Sequence, residues 1–124
     1  MDAMRVLFVD DEEELVSAVV ERLDLRGVEA EGVTSGAAAL QRIEERDFEV
    51  VVLDVKMPGL GGLDVIKRIK QRHPAVQVVM LTGHGSSEDA EEGVRLGAFD
   101  YLQKPIDIEV LLEVLRKAAA SRGA

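Results

Sequence analysis

The chain has no cysteine and no tryptophan, and only one tyrosine, three phenylalanines and three prolines among 124 residues. Without cysteine there is no disulfide and no thiolate site, which fits a reducing compartment and makes a cytoplasmic location the expectation. With so few rings the core must be aliphatic, and a flat aromatic ligand would find little to stack on. Bases are outnumbered 15 to 24, for a formal charge of −9. Such a surface repels phosphate backbones, so direct nucleic-acid binding by this chain is not expected. No run approaches the roughly 20 apolar residues of a membrane span. Near the start, Val6 to Val9 give way at once to the acids Asp10 to Glu14, unlike the longer apolar stretch of a signal peptide. The length suits one domain, taken here as residues 1–124.

What the chain does have is a set of short apolar runs that end on polar, chemically useful residues. Val6 to Val9 end on Asp10 and Asp11, Val50 to Leu53 on Asp54, Val76 to Leu81 on Thr82, and Tyr101 to Gln103 on Lys104. Aliphatic runs with little polar alternation suit strands buried on both faces. Between them the period changes to that of amphipathic helices. Leu15, Val19 and Leu23 share one face of a helix opened by Glu12, Glu13 and Glu14 and ended near Gly27. A short strand is expected over Glu29 to Val33. Ser35 then caps a helix with Ala37, Leu40 and Ile43 inward.

After Asp54, the turn-rich Pro58, Gly59, Gly61 and Gly62 precede a helix burying Val65, Ile66 and Ile69, stopped by His73 and Pro74. Gly83, Gly85, Ser86 and Ser87 form a loop before a helix with Ala90 and Val94 inward and Gly97 at its end. Pro105 or Ile106 starts the last helix, with Asp107 as a cap, Leu111, Leu112 and Leu115 as its stripe, and Arg116, Lys117 and Arg122 toward its negative end. Alternating strands and helices make βα units, hence an α/β fold with a parallel sheet and right-handed crossovers. Ligands of such sheets sit outside the carboxyl ends of the strands, so the four run-ends converge on one crevice.

Three ionised carboxylates at close range repel by about 1 kcal/mol per pair in water and about 4 at an effective dielectric of about 20. A cation therefore belongs near Asp10, Asp11 and Asp54. Oxygen ligands without His or Cys favour a hard ion such as Mg²⁺. Asp54 in such a place is suited to attack phosphorus and become an aspartyl phosphate. Lys104 offers a point charge for phosphate, and a cis bond to Pro105 would turn it toward the crevice. Thr82 offers a hydroxyl. Each residue taken singly also has a plain reading: a strand-end turn before an acidic helix start, a turn-forming Asp, a surface Lys before a helix-starting Pro, a Thr bonding its own loop.

Taken together, the segments Val9-Asp10-Asp11, Leu53-Asp54-Val55-Lys56-Met57-Pro58-Gly59, Leu81-Thr82-Gly83, Gly97-Ala98-Phe99-Asp100-Tyr101-Leu102 and Lys104-Pro105 resemble the receiver domain of two-component response regulators, in order and spacing. The resemblance implies a flavodoxin-like, three-layer (βα)5 fold with five parallel strands in the order 2-1-3-4-5. It implies that Asp54 accepts a phosphoryl group from a phosphohistidine on a sensor histidine kinase or phosphotransfer protein. Asp11, Asp54 and the Lys56 backbone carbonyl would ligate Mg²⁺, with Mn²⁺ as a substitute, and Asp10 would act mostly through a metal-bound water. Lys104 would pair with phosphoryl oxygens, Thr82 would move to bond them, and Tyr101 would be the aromatic switch that follows. Output, including a homodimer, would use the face of the fourth helix, fifth strand and fifth helix, where Glu91, Glu92, Arg95, Asp100, Glu113 and Arg116 mix both signs.

Lys56 and His84 occupy positions that vary in that family and are candidates for tuning the lifetime of the aspartyl phosphate. Gly61 stands where many receivers carry Asp, a change expected to affect the loop more than the chemistry. Two other functions compete with a switch. A Mg²⁺-dependent phosphatase of the haloacid-dehalogenase type would also form an aspartyl phosphate, but usually places its nucleophile after the first strand and adds a cap. A flavodoxin-like electron carrier needs a Ser/Thr/Gly-rich phosphate loop where this chain has Asp10 to Glu14.

Overall fold

The computed structural model describes residues 4–83 and 87–121. Its elements alternate without exception: β1 (Arg5–Val9), α1 (Glu13–Leu25), β2 (Glu29–Val33), α2 (Gly36–Glu45), β3 (Val50–Asp54), α3 (Gly62–Arg72), β4 (Gln77–Thr82), α4 (Ser87–Arg95), β5 (Asp100–Gln103) and α5 (Ile108–Ala120). The five strands are parallel and lie in the order β2-β1-β3-β4-β5. This is the flavodoxin-like arrangement that the receiver resemblance implies.

Successive residues of a strand point to opposite faces, and the aliphatic runs use both. Leu7, Val9, Val51, Leu53, Val78 and Met80 face α2 and α3, where Ala39, Ile43, Val65, Ile66 and Ile69 cover them. Val6, Phe8, Val50, Val52, Val79 and Leu81 face α1 and α5, under Val16, Val19, Leu23, Leu111, Leu112 and Leu115. Each such side chain contributes about 1.5–3 kcal/mol by leaving water. The uninterrupted strands are therefore what a sheet covered on both sides requires.

Local signals set most of the boundaries. Gly27, at φ +83°, follows the Arg26 C-cap of α1, a backbone conformation that other residues rarely adopt. Ser35 Oγ accepts from the Ala38 amide at 3.1 Å and caps α2. Asp107 accepts from the amides of Glu109 and Val110 and caps α5. That cap moves the start of α5 to Ile108, so neither Pro105 nor Ile106 begins the helix.

Three inward assignments also shift. In α2 the buried positions are Gly36, which lies against Val65 and Leu60, and Ala39 and Ile43, with Leu40 partly buried and Ala37 exposed. Both alanines are equally apolar, and the pattern alone did not separate them. In α1, Val16 takes the fully buried place and Leu15 packs at its margin. In α4 the inward positions are Ala90 and Gly93, while Val94 is 48% exposed. A Cβ on Gly93 would collide with the Met80 side chain, so α4 sits directly on β4 there. Arg122 and the loop residues His84, Gly85 and Ser86 lie outside the described residues.

Gly62 ties the fold to the crevice. It opens α3 against the backbone just past β3, and a Cβ there would lie 2.6 Å from Val55 Cα and 2.8 Å from the Asp54 carbonyl oxygen. Its amide donates to Val55 O at 3.1 Å. Because the obstacle is backbone, Gly62→Ala should destabilise the domain by about 2 kcal/mol or more. Thermal unfolding should show Tm lowered by several degrees.

Candidate functional site

Parallel strands end on the same edge of the sheet, and the register decides which ends meet. β1 pairs with β3 so that Val9 lies opposite Leu53, which makes the next residues, Asp10 and Asp54, neighbours. β2 lies on one side of β1, and β3, β4 and β5 continue on the other. The crevice between Asp10 and Asp54 is thus the topological switch point where open α/β sheets bind ligands. One β4 residue on, Thr82 pairs with Gln103, and Lys104 follows, its amide donating to the Thr82 carbonyl at 2.9 Å. The Lys104–Pro105 peptide bond is cis.

Asp10 is fully buried, Asp54 is buried and Asp11 is exposed, and one carboxylate oxygen from each lies within 4.8 Å of the others. The Lys104 ammonium reaches into this group. Its Nζ lies 2.7 Å from Asp10 Oδ2, 3.3 Å from Asp54 Oδ2 and 3.6 Å from Glu12 Oε1. Asp54 Oδ1 accepts from the Lys56 amide at 3.1 Å, and Asp10 Oδ1 accepts from the Glu12 amide at 2.9 Å. Asp10 Oδ2 is fully buried, with the Lys104 ammonium as its close partner.

Burial pushes the Asp54 carboxyl above the ordinary aspartate range; the Lys56 amide and the charge of Lys104 pull the other way, and Asp10 adds to the rise. For Lys104, burial alone would lower the affinity for its proton, but hydrogen bonding to Asp10 and the charges of Asp54 and Asp10 outweigh it and leave it raised. The site is therefore over-supplied with negative charge. Three carboxylates with oxygens within 4.8 Å of one another, two of them buried and sharing one ammonium, form an all-oxygen set that fits a hard divalent cation such as Mg²⁺.

The other predicted residues surround this centre. Thr82 is buried and its hydroxyl donates to the Leu102 carbonyl at 3.4 Å. The Lys56 side chain is exposed, and Tyr101 is 45% exposed on β5. His84 lies outside the described residues. Glu12 was legible in the sequence only as a helix opener; its contact with Lys104 depends on how α1 leaves the crevice, and adjacency to Asp10 and Asp11 was the one available signal.

The family model described as the response regulator receiver domain matches residues 6–116. The chain belongs to the response regulator receiver domain family. Among curated relatives, it is 42% identical over 113 residues to the transcriptional regulatory protein CutR of Streptomyces coelicolor, covering 91% of this chain and 52% of that protein. It is 34% identical over 114 residues to the DNA-binding transcriptional regulator NtrC of Escherichia coli K12, covering 91% and 24%. The receiver thus spans about a quarter to a half of the length of these relatives.

Among solved structures, the receiver domain of NtrX from Brucella abortus superposes with a TM-score of 0.88 at 35% identity, covering 94% of this chain and 98% of that one. A receiver domain protein from Clostridium thermocellum gives 0.90 at 32% identity, covering 94% of each chain. Receivers are phosphorylation switches of two-component systems, and aspartate phosphorylation and Mg²⁺ binding are typical of them. Among the described residues, no helix is long and apolar enough to cross a membrane.

The raised proton affinity of Asp54 has a sign that can be measured. A carboxyl whose folded pKa lies above its unfolded value weakens the fold wherever it is ionised, and the loss is relieved as pH falls through that window toward the ordinary 3.8. Asp54→Asn should therefore raise metal-free stability at neutral pH. Denaturant midpoints should show the gain fading as the pH approaches that of an ordinary aspartate.

Proposed function

We propose that this receiver takes a phosphoryl group onto Asp54 from the phosphohistidine of a sensor histidine kinase or a phosphotransfer protein, and that residues 1–124 act as one such domain. The observation that carries this reading is the buried Asp54 carboxylate with Lys104 Nζ at 3.3 Å and the carboxylates of Asp10 and Asp11 within 4.8 Å. In the transfer, an Asp54 oxygen forms the new bond to phosphorus as the bond to the imidazole nitrogen breaks. The chain catalyses this step and the later slow hydrolysis on itself and turns over no external substrate.

Asp11, Asp54 and the Lys56 carbonyl would hold Mg²⁺, or Mn²⁺ in its place, and Asp10 would hold it through water. That ion would neutralise phosphoryl charge. Lys104 supplies the second positive charge, in keeping with phosphoryl transfer as chiefly positioning and charge stabilisation. With an added group of nearly two negative charges, Lys104 gains a stronger partner than the carboxylates it now holds. Thr82 exchanges the Leu102 carbonyl for a phosphoryl oxygen. Tyr101, outward on the same strand as Leu102, then turns in.

The α4–β5–α5 face is the proposed output, toward a partner or a second copy of the domain. These three elements carry the exposed apolar side chains Val94, Tyr101 and Val110. Their charges are partly spent locally: Arg95 pairs with Glu92 at 3.6 Å and Lys117 with Glu113 at 3.2 Å. A phosphatase acting on external esters is disfavoured, because Asp54 stands at the end of β3 rather than after the first strand, and no cap stands over it among the described residues.

Incubation with Mg²⁺ and acetyl phosphate should give one phosphoryl group per chain by mass spectrometry, and Asp54→Ala should take up none. A modification that survives Asp54→Ala would overturn the assignment. Lys56 and His84 are proposed to set the lifetime of the product by crowding or orienting the attacking water. Lys56→Asn and His84→Ala should each change the decay half-life severalfold, and unchanged half-lives would sink the idea.

A further inference from the structure

Glu12 occupies the N-cap position of α1, yet its side chain makes no capping bond to the helix. The side chains that cap from that position, Ser, Thr, Asp and Asn, accept from the second or third amide of the helix, and the longer Glu is left free to reach elsewhere. Here the main chain is fixed instead: the Glu12 amide donates to Asp10 Oδ1 at 2.9 Å and its carbonyl accepts from Val16 at 3.0 Å. With the backbone held at both ends, the side chain crosses the mouth of the crevice to bring Oε1 within 3.6 Å of Lys104 Nζ. One ammonium is therefore shared among Asp10, Asp54 and Glu12. Glu12 is the member of that trio that has no part in the proposed chemistry and is largely open to solvent, its side chain 67% exposed.

We propose that Glu12 is a positioning residue that holds Lys104 toward the α1 side of the unphosphorylated site and thereby slows the capture of phosphoryl donors. This rests on the reading of Lys104 as the phosphoryl partner. An arriving phosphoryl group must draw the ammonium away from Glu12, and Glu12 adds one more negative charge where an anionic donor approaches. Glu12 and Lys104 also line one groove together, with Leu15, Val19, Arg22 and Ile108. An exposed ion pair of this kind supports an effect of about two- to fivefold.

The test compares wild type, Glu12→Gln and Glu12→Asp at saturating Mg²⁺. The readouts are beryllofluoride affinity and the rate of phosphorylation by acetyl phosphate. Gln keeps the shape and removes the charge. Asp keeps the charge, falls short of Lys104 and is suited to fold back as a helix cap. Both variants should bind beryllofluoride and react about two- to fivefold better than wild type, with the advantage shrinking at high salt. Unchanged circular dichroism and Tm would separate this from a loosened α1.

A gain in Glu12→Gln with Glu12→Asp at the wild-type level would mean that Glu12 acts through its field alone and would overturn the contact. No gain in Glu12→Gln, or a loss, would overturn the proposal altogether. Asp54→Ala runs alongside: if it still reacts, the site beneath the inference fails, whereas an inert Asp54→Ala beside an unchanged Glu12→Gln sinks the inference alone.

Discussion

Asp10 and Asp54 are carried on adjacent parallel strands whose register gives them no choice but to meet, and Lys104 compensates them from β5. β5 lies two strand spacings from β3, about 10 Å. Only a long side chain covers that span from the strand end, so the position calls for Lys rather than a shorter polar residue. The same reach links the β5 edge of the sheet to β3 and β1. Lys104 touches the acids of β1 and β3, its amide is bound to the last residue of β4, and the next strand residue inward, Gln103, is paired with Thr82. A change in charge at Asp54 is felt at β5 without any movement having to pass through the core.

Such a site costs stability, because two carboxylates buried beside one ammonium are not fully compensated. The rest of the fold offsets that cost with aliphatic contacts on both faces of the sheet, which are insensitive to what happens at its edge. The division also explains the composition. Phe8 and Phe48 supply one buried ring to each face, and the rest of the packing is Val, Leu and Met from β1, β3 and β4 against Val, Leu and Ile of the covering helices, with no call for tryptophan or cysteine. Acids concentrate at the strand ends and helix starts, where a cation and helix dipoles are available to them.

The parts of the structure that were legible in the sequence are those decided by periodicity and by local caps. Strands buried on both faces read as unbroken aliphatic runs, and Ser35, Gly27 and Asp107 marked helix ends by their own chemistry. Misplaced residues were those where neighbours of equal hydropathy compete, as Ala37 and Ala39 do, or where a close approach requires a residue with no side chain. Gly93 is such a case: it faces inward because Met80 lies beneath it, and hydropathy drew attention to Val94 instead. The crevice was legible because strand ends converge whatever the loops do. The contact of Glu12 was not, since it depends on the direction in which one exposed side chain leaves the N-cap of α1.

The helices are also not held equally, and this bears on where a signal can go. α1, α3 and α5 are anchored by large aliphatic side chains, whereas the buried positions of α4 are Ala90 and Gly93, with Ala98 just beyond its end. Small residues bury little area, so moving α4 sacrifices less hydrophobic energy than moving its neighbours. α4 also follows directly on the segment after Thr82, the residue whose hydroxyl has two alternative acceptors in the proposed switch. In the proposed switch a shift at Thr82 would therefore meet its weakest resistance in α4, beside which the Val94 and Tyr101 side chains stand exposed.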